Sequence, residues 1–184
     1  SSDLLTISGI TADNKVYDGN TSANINTSGV TNATLVSGGL VAGDNVTVSA
    51  TGTFANKNAN TSILVTLNST YGGADASNYN ITSQANTTAN ITTKAVTLTA
   101  PQVTRPYDGT ANYTTLAADL TALSAQLGIA GDSVTGITLA YLDKNVGTNK
   151  TVTVKGLTLS NSNYTLAEQT TTANITAQSL NLLA

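Results

Sequence analysis

Lys15-Val16-Tyr17-Asp18-Gly19-Asn20 returns ninety positions later as Arg105-Pro106-Tyr107-Asp108-Gly109-Thr110. Asp-Gly is a tight-turn signal, because glycine accepts positive φ and aspartate bonds the backbone of its own turn. Four further blocks recur in the same order. Val41-Ala42-Gly43-Asp44 matches Ile129-Ala130-Gly131-Asp132, and Phe54 with Lys57-Asn58 matches Tyr141 with Lys144-Asn145. Ser77-Asn78-Tyr79 matches Ser162-Asn163-Tyr164, and Thr88-Ala89-Asn90-Ile91-Thr92 is identical to Thr172-Ala173-Asn174-Ile175-Thr176. Ordered blocks of this kind mark tandem repeats. The offset shrinks from 90 to 84, which places small deletions between the blocks, where loops accept them. The domains read as 1–94 and 95–184. Leu5 and Ile7 open the first repeat, and Val96, Leu98 and Ala100 open the second. Leu180, Leu182 and Ala184 alternate the same way, so 178–184 reads as the start of a third repeat. Without an initiator Met or signal peptide, the sequence reads as a piece of a longer array.

The 184 residues carry 7 basic and 10 acidic side chains, 9% charged against roughly 25% in ordinary soluble domains. Serine and threonine number 16 + 35 = 51, and there are 21 asparagines. Polarity here is neutral. Cysteine, histidine, methionine and tryptophan are absent. That excludes disulfides, thiolate nucleophiles, Cys/His zinc sites and His-based triads. A net charge of −3 argues against nucleic acid, which needs clustered Lys and Arg. No apolar run reaches the 18 residues or so that insert in a membrane as a helix.

Period-two alternation of apolar with polar residues dominates, and Thr, Val and Ile are β formers. Val46–Thr51, Ile63–Leu67 and Val152–Leu157 read as strands. Thr88 to Val103 reads as one extended path, with apolar positions 89 and 91, then 96, 98 and 100. The phase flips at Thr93-Lys94-Ala95, which moves side chains to the opposite face. Leu116, Leu120, Leu123 and Leu127 keep a helical spacing, with Thr114 or Thr115 to cap and Gly128 to stop. The matching stretch, 29–41, predicts a shorter or irregular helix. The fold class is mainly β, with a short helix at least in the second repeat: two tandem antiparallel domains, β-grasp-like. An immunoglobulin-like sandwich is the alternative.

Candidate chemistry is sparse. The repeat motif residues Tyr17, Asp18, Gly19, Tyr107, Asp108 and Gly109 read as a structural turn under a packed ring. A catalytic role would need a base or second carboxylate, and none stands nearby in sequence. Calcium is a weak candidate, because the aspartates have no Asp-x-Asp or EF-hand spacing. Glu168 is the only glutamate, which disfavours a paired-carboxylate site. Lys57-Asn58 and Lys144-Asn145 read as turns rather than as partners in a Lys–Asn cross-link. Thirteen asparagines start Asn-x-Ser/Thr sequons. Asn45, Asn80, Asn90, Asn163 and Asn174 are the candidate glycan acceptors, although a polar strand face also places Asn and Thr two residues apart.

Taken together, the five blocks resemble YDG-type repeat domains and the related MBG-type modules. Such modules occur in tandem in large bacterial surface adhesins, filamentous-haemagglutinin-like and exported by two-partner secretion. The resemblance implies an extracellular stalk at the bacterial surface, with neighbouring repeats as partners, no enzyme activity and no cofactor. The competing expectation is a module that itself binds host or matrix glycans or proteins. Tyr71 and Tyr113, the tyrosines without a counterpart, are then the contact candidates.

A geometric expectation follows from the junction. Sixteen extended residues, 88–103, span about 50 Å at ~3.3 Å each, and Pro101 stiffens the chain beyond the phase flip. Small-angle scattering should give an elongated monomer whose profile is unchanged by EDTA. A compact particle refutes the geometry, and collapse in EDTA revives calcium.

Overall fold

Alternating Thr, Ser and Asn with Val, Ile and Leu gives strands that bury one face, and strand is the main regular structure, 46% against 10% helix. The computed structural model describes residues 3–102, 104–113, 115–167 and 170–182. Val103, Thr114, Glu168 and Ala184 lie outside them. The chain divides into two units, Ser1–Thr93 and Lys94–Ala184.

The first unit contains β1 (Asp3–Thr6), β2 (Thr11–Ala12), β3 (Lys15–Val16), β4 (Ser22–Ala23), β5 (Ile25–Asn26) and α1 (Asn32–Ser37). It continues through β6 (Thr47–Phe54), β7 (Asn60–Gly72), β8 (Tyr79–Thr82) and β9 (Asn86–Thr92). Five of these strands form a curled, half-barrel-like sheet in the order β3-β9-β7-β6-β4. Its centre is antiparallel, with Phe54 opposite Val65. At one edge β3 runs parallel to β9. A separate pair, β1 with β8, is also parallel. Leu5, Ile7, Leu35 and Tyr79 pack with Val48, Ala50 and Leu67, so α1 and the β1–β8 pair cover the sheet's inner face.

The second unit repeats this with β10 (Lys94–Val96), β11 (Arg105–Pro106), β12 (Asn112–Tyr113), α2 (Ala117–Ala125), β13 (Val134–Tyr141), β14 (Gly147–Leu159), β15 (Tyr164–Leu166) and β16 (Thr170–Thr176). Its sheet order is β11-β16-β14-β13-β12, and β10 pairs with β15 in parallel. Leu98, Leu123, Leu127, Leu139, Val152 and Ile175 are buried in it.

Each unit thus sets a helix against a half-barrel-like sheet whose first and last strands lie side by side, within the expected class of two tandem, mainly β domains. The sheets are mixed rather than purely antiparallel, because the entering strand of each unit joins the leaving one in parallel. Local periodicity carries no information about that long-range choice. The phase flip is visible as burial: Ala89 and Ile91 point inward in the first unit, Val96, Leu98 and Ala100 in the second. β9 stops at Thr92 and β10 starts at Lys94, and no ladder continues through 97–102. Leu180 and Leu182 are exposed, outside any strand.

The helices start differently from expectation. α2 begins after Leu116, whose N–H donates to Asp119 Oδ2 at 3.0 Å, so an acidic N3 residue caps it. Thr115 instead donates its hydroxyl to the Ile137 carbonyl at 2.7 Å. α1 is shorter, six residues, and starts with a reciprocal Thr31–Thr34 capping box.

The motif tyrosines are unequal. Tyr17 is 2% exposed, whereas Tyr107 is half-buried, which corrects the expectation that both lie in the core. Replacing a well-buried aromatic by alanine costs about 3–5 kcal/mol. Tyr17→Ala should therefore abolish the cooperative melting of the first unit, and Tyr107→Ala should lower the second unit's transition by only a few degrees. Differential scanning calorimetry of the two variants checks this. Equal losses would show that exposure does not set the difference.

Candidate functional site

β3 and β4 are the two outer strands of one sheet, yet only five residues, 17–21, join them. The motif turn lies in that short connection, and it is closed by a cation. Lys15 Nζ donates to Asp18 Oδ1 and Oδ2 at 2.9 and 3.1 Å, and to Asn20 O and Oδ1 at 3.0 and 3.1 Å. It also donates to the Ser22 carbonyl, on β4, at 2.9 Å. Its side chain is 18% exposed and stands 5.3 Å from the centre of the Phe54 ring. The Phe54 N–H donates to the Thr21 carbonyl at 2.8 Å, which fixes the ring beneath the turn.

The turn is also bonded within itself. The Asn20 N–H donates to Asp18 Oδ1 at 3.1 Å, and the Ser22 N–H to Asn20 Oδ1 at 3.0 Å. Gly19 sits at φ 80°, a conformation that side chains with a Cβ avoid.

The second unit uses another cation for the same closure. The Arg105 guanidinium lies 2.6 Å from Asp108 Oδ1, donates to the Thr110 carbonyl at 2.6 Å, and stands 4.9 Å from the Tyr141 ring centre. The Tyr141 N–H donates to the Ala111 carbonyl at 2.7 Å. Thr110 N–H and Oγ1 both donate to Asp108 Oδ1 at 2.9 Å, and Gly109 sits at φ 84°. Phe54 and Tyr141 therefore recur because each floors its unit's cation.

These partners set the carboxyl groups. Burial pushes Asp18 up, but the Lys15 hydrogen bond, the Asn20 N–H and the Lys15 charge outweigh it and hold the carboxyl below its usual range. The Thr110 N–H and hydroxyl, then Arg105, do the same for Asp108. Asp143 is held low by its ion pair with Lys150 and by the Asn145 N–H.

Two other repeated blocks meet in space. Tyr79 donates its hydroxyl to Asp44 Oδ2 at 2.6 Å and accepts from the Val41 N–H at 2.9 Å. The Asp44 hydrogen bond pushes the Tyr79 phenol up, and burial adds to it. Tyr164 donates to Asp132 Oδ2 at 2.5 Å. The Ala-Gly-Asp and Ser-Asn-Tyr blocks are thus two halves of one tie.

Every recurring block now has a structural task, and the set occurs twice. A family model described as the YDG domain matches residues 3–89 and 92–173. The chain belongs to the YDG domain family. No curated protein and no solved structure matches it.

The three YDG residues thus pack a ring, bond a turn and supply positive φ. The cation before them went unread in the sequence, although Lys15 and Arg105 open both blocks. Their acceptors are local, but the ring beneath lies 39 and 36 residues away. The candidate acceptor asparagines separate clearly. Asn45 and Asn80 are exposed. Asn90 and Asn174 are half-buried, and their side-chain oxygens accept from the Ser62 and Asn149 N–H groups at 2.7 and 2.8 Å. Those two residues hold φ of 50° and 49° at the bulges of β7 and β14. Asn163 is 2% exposed, so the folded chain leaves no room for a bulky glycan there, a correction to its candidacy.

Neither unmatched tyrosine stands free. Tyr71 shares a hydrogen bond with Ser83, and Tyr113 donates to Asp119 at 3.1 Å. Lys57-Asn58 and Lys144-Asn145 are exposed in the connections between β6 and β7 and between β13 and β14. Among the described residues no three carboxylates converge as metal ligands.

The cation makes the closure testable. A hydrogen bond to a charged group contributes about 1.5–3 kcal/mol, so Lys15→Met should destabilise the first unit by about 2 kcal/mol in urea. Lys15→Arg should keep most of the stability, as Arg105 does in the second unit. Asp18, Asp108 and Asp143 are held low, so their contribution is complete above the unfolded carboxylate pKa of about 4 and is lost as pH falls through the folded values. Stability should be flat from about pH 7 to pH 5 and fall below about pH 4. Asp18→Asn should reduce the acid loss in the first unit alone. An unchanged urea midpoint in Lys15→Met removes the cation from its role.

Proposed function

We propose that these two YDG units are a structural segment of a bacterial cell-surface fibre, holding a distal adhesive region away from the cell. They are extracellular, catalyse nothing, and have neighbouring repeats as their partners. The supporting observation is where the repeated polar residues go. Lys15, Asp18, Asn20, Asp44 and Tyr79, with their counterparts, all spend their hydrogen bonds within their own unit. Function that recurs in register is therefore folding itself, which is what a spacer repeats.

The competing reading is a module that grips a glycan or a protein. Sugar sites favour exposed aromatic faces, and Tyr71 and Tyr113 are engaged within their units. The second unit has an apolar cavity of about 200 Å³ lined by Leu98, Leu123, Ile137, Val154 and Leu166. It offers no aromatic platform for a sugar ring.

The two readings part in a replacement experiment. In the surface protein that carries this segment, both units are exchanged for unrelated cysteine-free β domains of equal number and length. A stalk keeps its adhesion after exchange, provided antibody labelling shows equal display. Loss of adhesion at equal display makes the YDG units the binding element.

A further inference from the structure

In each unit the strands that enter lie beside the strands that leave. Asp3 to Thr6 pairs in parallel with Tyr79 to Thr82, and Lys15 and Val16 pair in parallel with Ile91 and Thr92. The second unit repeats the register: Lys94 is opposite Tyr164, and Arg105 is opposite Ile175. The β1 pairing is extended by the Ile7 N–H, which donates to the Thr82 carbonyl at 3.0 Å. The motif tyrosines extend the other pair, since the Tyr17 and Tyr107 N–H groups donate to Thr92 and Thr176 carbonyls at 2.8 Å.

Side chains stitch the same two chain ends. Gln84 brackets Ile10 from both sides, accepting its N–H at 2.9 Å and donating to its carbonyl at 2.8 Å. Asn14 accepts from the Asn90 N–H at 2.7 Å.

Tension applied at the ends of a unit draws β1 and β3 toward their N-termini and β8 and β9 toward their C-termini. The two members of each parallel pair are then pulled in opposite directions along their length. Ladder hydrogen bonds lie across the strands, so this load shears all of them together. The β6–β7 hairpin is the opposite case: pulled at its open end, it parts one bond at a time. Lys15 adds a second restraint, because its bond to the Ser22 carbonyl fastens β3 to β4 and opposes peeling.

We propose that each YDG unit is a shear clamp, a fold whose function is to carry tension along the chain. The clamp follows from strand pairing alone; only its use in a surface fibre rests on the stalk reading. Forced unfolding is governed by the unfolding rate, so direction of pull must matter even at fixed stability.

Single-molecule force spectroscopy decides it. The whole chain is stretched between handle domains at its two ends, then through Ser49→Cys and Thr70→Cys. These positions face each other across β6 and β7, and the natural sequence has no cysteine to compete. End-to-end pulling should give two rupture events, each at a several-fold higher force than opening at 49 and 70. Gln84→Ala should lower one end-to-end event and leave the 49–70 force unchanged. Equal forces in the two directions overturn the clamp, and this comparison stands even if Gln84→Ala fails to fold by circular dichroism. Strong directionality together with loss of adhesion at equal display in the exchange experiment would retain the clamp and remove the stalk.

Discussion

A cation withdrawn from most of the surrounding water must be met by acceptors, or it unfolds its site. Lys15 and Arg105 are such cations, with side chains 18% and 13% exposed. Each finds its acceptors in the few residues that follow it, and this dictates the shape of the unit. The strand carrying the cation and the strand after the turn occupy opposite edges of one sheet. The five residues that join them are folded into a turn, which draws the two edges together and goes with the curl of the sheet. The aromatic floor, the turn glycine and the aspartate all serve that curl. A lysine does it with a compact ammonium shared among turn oxygens, and an arginine with a planar fork on one carboxylate and two carbonyls.

The remaining polar residues follow the same economy. With 9% charged residues, the units cannot rely on ion-pair networks. They use single side-chain brackets instead, most of them amides. Asn90 and Asn174 hold two strained bulge residues, Gln84 holds Ile10, and Asp44 and Asp132 each take one tyrosine hydroxyl. The abundance of asparagine that looked like a surface feature is in part an internal one. Bonds of this kind resist changes in salt, which screens exposed charge pairs far more.

Much of this was legible in the residues, for identifiable reasons. Repetition exposed the two units, because each copy carries its own complete set of contacts. Period-two alternation exposed the strands, and the burial parity of Ala89 and Ile91 against Val96 and Leu98 follows the phase flip. The leucine spacing of 116–127 exposed α2, although Leu116 itself precedes the helix and is exposed. What stayed hidden was pairing between distant segments. The parallel contacts of β3 with β9 join residues 76 apart, and no local pattern selects them. The burial of Asn163 was equally invisible, because its neighbours Ser162 and Asn161 are polar and the block reads as a turn. Tyr107 differs from Tyr17 although the tripeptides are identical, so the ring's surroundings come from elsewhere in each unit.

The closure of a unit is self-contained: cation, turn, floor and ties all come from one repeat. Recombination between copies of the coding sequence would therefore delete or duplicate whole repeats without leaving an orphaned partner on either side of the crossover. Lysine and arginine exchange at the cation within the same frame, since the acceptors of each lie in its own unit. Copy number can then change while each copy varies on its own, as Lys15-Val16 and Arg105-Pro106 differ within this one chain.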